Sequence, residues 1–474
     1  MASTTRMLTP SSGSGSGPTV SVAQVLALFA RLLALQPFAP WLTPRARRAA
    51  YQRAWKPVVT LWYLLWSRLQ ADATLDAVVK DARGGGADAL TPGPRPLSHR
   101  LVSRATAGFS KARRRQPLRW VRQAFTHLTG LLRASAPNLL WHDLEVGLID
   151  GSTVRLRPHG NIPQRFAPAR NQRGPAYWCL VRVVVVFCAR SGLALATGLG
   201  PLSVSEQTLA VALVLRGAAR MVWVGDRNFG LWRLARAAVQ ARRHVVVRLT
   251  EARARRLLGR ALSAGLDAAV RWTPSRQDQS DPGLERQPVD GRLLGIVLQR
   301  PGYRTQTLYL FTTLTDAALY PAAELAALYG VRWHVELNLR YLKAQMRLAQ
   351  LEVKSARLVL QQWYAGLLAY NLIRGVMLWA GATAGVDPLD LSFAQARRLV
   401  TAVVREEQRA GRPALRPARW RRLLEDVAAA RWPRRDRPRT GEPRAKYHVR
   451  ETFPPLRGTR AAARLQLALP PLKS

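Results

Sequence analysis

Apolar residues recur at helical spacing through the first part of the chain, as in VAQVLALFARLLALQ and KPVVTLWYLLWSRLQ, which predicts several helices between Thr19 and about Leu132. The run ARGGGADALTPGPRPLS breaks them as a loop. From about residue 136 the period changes to two. LEVGLIDGSTVRL alternates and then turns, predicting a strand that ends near Asp150 and a hairpin through Gly151 and Ser152, with Val146, Leu148 and Asp150 on one face. YWCLVRVVVVFCA and GLALATGLGPL read as two further strands. A helix opens at Ser205, the expected N-cap of VSEQTLAVALVLRGAAR. MVWVG then delivers Asp226 at the end of a fourth strand, LWRLARAAVQARR is a helix, and HVVVRLT is a fifth strand. The order β-β-β-α-β-α-β predicts an α/β fold built on a mixed five-stranded sheet.

Between residues 251 and 320 the pattern falls into short strands, LLGIVLQRP and QTLYLFTTL, around the polar run PSRQDQSDPGLERQPVDG. This predicts a β-rich insertion, since about 70 residues is long for a plain loop. Tyr329 to Lys343 then reads as one helix. At about 100° per residue, Tyr329, Arg332, Glu336, Arg340 and Lys343 share a sector of roughly 80°. Leu328, Val331, Val335, Leu339, Leu342 and Met346 form an apolar stripe on one flank of it, and Trp333, Leu337, Tyr341 and Leu348 form another. A solvated face has apolar residues on one side only, so a charged strip between two apolar ones predicts the floor of a groove. The competing reading is an i,i+4 ladder of Arg332, Glu336 and Arg340.

Charge narrows the partners. The chain carries 73 Lys+Arg against 28 Asp+Glu, a net +45 over 474 residues. Such a surplus calls for a polyanion, and nucleic acid comes first because arginine forks bind phosphate and release its counterions. Lys111, Arg113, Arg114 and Arg115 in RLVSRATAGFSKARRRQPLRWVRQAF cluster on a basic helical stretch suited to DNA backbone contact, or simply to a solvated face. No membrane partner is expected, because the most apolar run, Trp363 to Trp379, contains Asn371 and Arg374. Cys179 and Cys188 lie in one strand at an odd offset, which predicts opposite faces, no bridge, and a reduced cytoplasmic setting. The chain divides by composition into a Ser/Gly tract (1–18), a helical N-terminal region (19–135), a core in two parts (136–250 and 321–385) around the insertion (251–320), and a basic Arg/Pro-rich C-terminal region (386–474).

Asp150 and Asp226 at strand ends and Glu336 on the charged strip make a triad that is weak by spacing alone, since a turn or cap role would account for either Asp singly. They lie 76 and 110 residues apart, so only a fold brings them together. Oxygen ligands of this kind select hard ions, Mg²⁺ or Mn²⁺, and a pair of ions about 3.5–4 Å apart can activate a nucleophile and neutralise a leaving oxygen. Rival constellations are thin. His142, Asp143 and Glu145 lack a further His or Cys, Ser152 and Thr153 have no His nearby, and Gly84 to Gly86 lack the strand and GK[ST] of a phosphate loop. Trp272 and Trp333 could stack on an extruded base, but core packing is the favoured reading for both.

Tyr329, two residues, Arg332, three residues, Glu336, six residues, Lys343 resembles the signature of the insertion-sequence-four family of DDE transposases. The resemblance extends through KSARLVLQQWYAGLLAYNLIRGVM, through TTLTDAALYPAAELAALYGVRW, and to GDRNFG around Asp226, covering roughly residues 110 to 380. It implies an RNase H-like core carrying the strand order above, interrupted by the insertion, with Asp150, Asp226 and Glu336 as catalytic residues holding two Mg²⁺ or Mn²⁺ ions. Tyr329, Arg332, Arg340 and Lys343 would contact DNA. It also implies cleavage of transposon ends in inverted repeats, joining of their 3′-OH to target DNA, a homodimer on double-stranded DNA, and work in the bacterial cytoplasm at the nucleoid. A non-catalytic DNA-binding descendant and a metal-dependent nuclease without strand transfer remain open alternatives.

Overall fold

The computed structural model describes residues 54–432, apart from short stretches at 71–73, 91–93, 136–138, 172–173, 277, 279–282, 299–305 and 410–416, together with residues 459, 462 and 465. The Ser/Gly tract, the helix read in VAQVLALFARLLALQ and most of the C-terminal tail lie outside the described residues.

Among the described residues, eleven strands form one sheet. They are β1 (Leu140–Trp141), β2 (Leu144–Leu156), β3 (Pro168–Asn171), β4 (Gly174–Cys188), β5 (Ala194–Pro201), β6 (Met221–Gly225), β7 (His244–Leu249), β8 (Asp267–Trp272), β9 (Val289–Leu298), β10 (Gln306–Thr312) and β11 (Gln350–Leu351). β5, β4 and β2 pair antiparallel in that order, and β2, β6 and β7 then run parallel. The two parallel steps use helical crossovers: α4 (Glu206–Arg216) leads into β6, and α5 (Trp232–Gln240) leads into β7. The sequence order of strands and helices is therefore the order found. Val183, Val184, Val185 and Val186 of β4 are all buried, as expected of a strand covered on both faces.

Two sequence readings need adjustment. β2 does not stop near Asp150: its ladder with β4 runs from Gly147 to Leu156, so Gly151 and Ser152 pair with Val184 and Val183 and no hairpin forms there. Alternation alone cannot see that a partner strand is long enough to carry β2 onward. The strands between residues 251 and 320 continue the same sheet, because β10 pairs antiparallel with β7, β9 with β10, and β8 with β9. Cys179 and Cys188 are both buried and free, and the unbroken pairing of β4 with β2, from Cys179 opposite Leu156 to Cys188 opposite Gly147, keeps their odd offset on opposite faces of the strand. Trp272 is buried edge-on against Phe311, ring centroids 4.8 Å apart, in the core role the sequence favours.

One face of the sheet packs on α4 and α5 through Ile149, Val184, Trp223 and Trp232. The other is covered by helices around α8 (Ala356–Ala384), whose Ser355 N-cap accepts a hydrogen bond from Leu358 N–H and whose end is Gly385 at φ 65°. This helix is long and apolar enough to cross a membrane by composition, but 94% of its most apolar window is buried inside the protein. Two of its buried polar side chains are satisfied internally: Asn371 bonds Ala194 and Thr129, and Tyr370 donates to the Gly192 carbonyl. Helices α1 (Pro57–Leu69) and α3 (Leu118–Ala134) pack on α8, so this N-terminal helical part shares its core.

Candidate active site

Register places the first two carboxylates. β2 and β6 are parallel, with Val146 opposite Val222 and Leu148 opposite Val224. These residues share one apolar cluster, on the face opposite Ile149 and Trp223. Continuing that register by two residues brings Asp226, the first residue past β6, next to Asp150 of β2. β6 ends at Gly225, so the pair stands where the parallel strands release their carboxyl ends, a favoured place for a site in such sheets.

The electrostatics follow from this closeness. Burial pushes the Asp150 carboxyl up from 3.8 to about 6, helped by the charges of Asp226 and Glu206 and opposed by the Gly151 N–H and by Arg332. Gly151 N–H donates to Asp150 Oδ1 at 2.7 Å, and Asn228 N–H donates to Asp226 Oδ1 at 2.9 Å. Both carboxylates are thus held by backbone donors next to them in sequence.

The third carboxylate arrives on a helix that changes pitch. Tyr329 lies in α6 (Ala322–Gly330), Arg332 in a 3₁₀ turn (Val331–Trp333), Glu336 and Arg340 in α7 (His334–Arg340), and Lys343 in a π turn (Tyr341–Gln345). The single uninterrupted helix read from the sequence is therefore corrected, the π turn being the more consequential departure because such turns recur at functional sites. Arg374 of α8 supports it from beneath: its Nη2 donates to Asn338 Oδ1, its Nε to the Tyr370 hydroxyl, and its guanidinium lies 5.4 Å from the Tyr341 ring. The first apolar flank is core, with Leu328, Val335, Leu339, Leu342 and Met346 buried. The second splits, because Tyr341 and Leu348 are buried whereas Trp333 is 48% exposed.

Arg332 is the junction. Its Nη2 donates to Glu336 Oε1 at 2.9 Å, and its side chain is 19% exposed against 58% for that of Glu336. Burial alone would lower its pKa, but Tyr329, Glu336 and Asp150 outweigh this and raise it. The Tyr329 phenol is pushed up by burial and by Asp226, and drawn back by Arg332 and Arg248. The fold thus brings together Asp150, Asp226, Arg332 and Tyr329, with Glu336 joined through Arg332. The charges that bear most on Asp150 are those of Asp226, Arg332 and Glu206. Among the described residues no three His, Cys, Asp or Glu side chains form one metal-holding group. His142, Asp143 and Glu145 are each paired elsewhere, with Glu324, Arg220 and Arg133.

Three residues at the site were missed by sequence reasoning. Arg248 follows Val246 on β7 as Asp226 follows Val224 on β6, and the β6–β7 register sets it beside Asp226; the signal was the alternation in HVVVRLT. Glu206 and Asn228 carried only weaker signals, a helix start and a turn.

Comparison with known proteins follows this geometry. The transposase DDE domain family matches residues 141–372. Transposase InsG for insertion sequence element IS4, from Escherichia coli (strain K12), is 28% identical over 379 residues, covering 78% of this chain and 79% of its own length. The cryo-EM structure of the piggyBac transposase synaptic complex with hairpin DNA is similar with a TM-score of 0.36 and 11% identity, covering 87% of this chain and 83% of its own.

Proposed function

The chain belongs to the insertion-sequence-four family of DDE transposases, and from this premise we propose that it cleaves its transposon ends and joins their 3′-OH to target DNA with two divalent ions, Mg²⁺ or Mn²⁺. It is a DNA transposase and an enzyme. The single observation that carries the mechanism is the β2–β6 register, which sets Asp150 beside Asp226 at the carboxyl edge of parallel strands. An all-oxygen donor pair that is partly buried and mutually repulsive fits a hard cation. Asp150 and Asp226 would hold it, with Glu336 completing the set once its exposed side chain leaves Arg332. When bound, the ions would supply charge for the attacking and leaving oxygens. Arg332, Tyr329, Arg340 and Lys343 would hold phosphates beside the scissile bond, Arg332 as a bidentate fork released from Glu336.

The RNase H-like reading of the core, the 251–320 segment as the family's β-rich insertion, and DNA contacts from the N-terminal and C-terminal basic regions belong to the same proposal. So do a homodimer that joins two ends, and work at the bacterial nucleoid. Sedimentation with and without end DNA tests the dimer: a single protomer bridging two ends would end that part.

The observed Arg332–Glu336 bond also suits the ladder reading, and nicking separates the two. Glu336→Gln keeps shape and removes charge, so DNA binding should persist while Mn²⁺-dependent 3′-end nicking is lost. Arg332→Ala should lower nicking, with partial rescue by Arg332→Lys. If the pair only braced the helix, Arg332→Ala would cost about 0.3–0.5 kcal/mol of stability and leave nicking near wild type. Wild-type nicking by Glu336→Gln would overturn the mechanism.

A further inference from the structure

We infer that Glu206 is a further carboxylate of this centre, a positioning residue that adds its charge to the Asp150–Asp226 pair and strengthens its hold on a divalent cation; this rests on the metal-dependent reading above. Glu206 is the first residue of α4, after the Ser205 N-cap, whose hydroxyl already accepts from Thr208 N–H at 3.0 Å. The helix start is thus satisfied without it, and the Glu206 side chain points elsewhere. It lies across Gly151: a β-carbon there would overlap the Glu206 carboxyl group. Gly151 is ordinary strand in a ladder with Val184, so no turn or positive φ asks for glycine at this position. Its lack of a side chain is what admits the carboxylate against the backbone at Gly151, within reach of the Asp150 charge.

Asn228 fixes the far side. Its Nδ2 donates to Glu206 Oε2 at 2.8 Å while its backbone N–H donates to Asp226 Oδ1, and Gln207 Nε2 donates to Asn228 Oδ1 at 2.6 Å. One amide side chain therefore ties the Asp226 loop to the carboxylate that covers the Asp150 strand. The route is open because β6 ends at Gly225, while β2 runs on to Leu156. Outer carboxylates of this kind tune cation affinity by roughly 10–100-fold.

Binding of Mn²⁺ to the full-length protein, followed by calorimetry without DNA, tests this apart from turnover. Glu206→Gln should weaken Mn²⁺ binding by about tenfold or more, and Asp150→Asn more strongly. Gly151→Ala, which displaces the carboxylate without removing a charge, should reproduce the weakening. Glu352→Gln, an exposed glutamate paired with Arg157, is the control expected to bind as wild type. Wild-type Mn²⁺ affinity in Glu206→Gln and Gly151→Ala, with Asp150→Asn impaired, would overturn the role of Glu206 and leave the metal reading standing. Wild-type affinity in Asp150→Asn as well would overturn both.

Discussion

At the scale of single residues, Asp150 shows what the site costs and what a cation would relieve. Its carboxyl is raised from 3.8 to about 6, with burial as the largest cause. A folded-state value above the unfolded one means that the native protein holds the proton more tightly. The stabilisation from this group is therefore complete below about pH 3.8 and is lost as pH rises through about 6. At neutral pH the charged carboxylate withholds up to about 3 kcal/mol from the metal-free protein. Asp150→Asn should accordingly melt higher than wild type near pH 8 without metal, the gap closing near pH 4. Adding Mg²⁺ should raise the wild-type melting temperature and leave the variant where it was. Differential scanning calorimetry across this range checks both parts, and a variant that melts below wild type near pH 8 would show that burial of this charge is no strain on the fold.

At the scale of elements, the parts legible in the sequence were those set by period and local chemistry. The five core strands, the helix beginning at Ser205 and the strand-end position of Asp226 all followed from alternation and capping. What was hidden depended on partners distant in sequence. Gly151 looked like a turn residue because glycine followed by serine usually is one, and only the full-length ladder with β4 makes it strand. The charged strip was placed on an ideal helix, whereas Arg374 and its aromatic partners lie beneath a helix that tightens at Val331 and widens at Tyr341. A uniform 100° rotation cannot contain either change. Glu206 was hidden for another reason: an acidic residue in the first helical turn has a sufficient local explanation in the helix dipole, so nothing in the sequence pointed beyond it. Arg248 was open to the same face-counting argument that placed Asp150, extended one strand further.

At the scale of the whole molecule, the arginine surplus and the shared core together set how DNA engagement should be dissected. α1 is packed on α8, so cutting away residues 1–110 would strip buried Trp62, Tyr63 and Trp66 from the core and confuse folding with binding. Charge removal on a well-formed surface is cleaner. Helix α2 (Ala107–Arg115) presents Lys111, Arg114 and Arg115 to solvent, whereas Arg113 folds back with its guanidinium 5.5 Å from the Phe109 ring. Burial, together with the neighbouring Arg114 charge, lowers Arg113 to about 10, as expected of a cation without enough compensation nearby. The exposed three should contact phosphates, each neutralised phosphate contributing about 0.9 to the slope of log affinity against log salt. Replacing all three with Gln should therefore flatten that slope by up to about 2.7 and weaken binding to end DNA and random duplex alike, because phosphate contacts carry no sequence information. The melting temperature should stay near wild type, since exposed charges at this helix end contribute little to folding. Fluorescence anisotropy over a salt series, run on both duplexes, reads the slope directly. An unchanged slope would mean that this basic helix is only a solvated face and that the DNA path crosses the protein elsewhere.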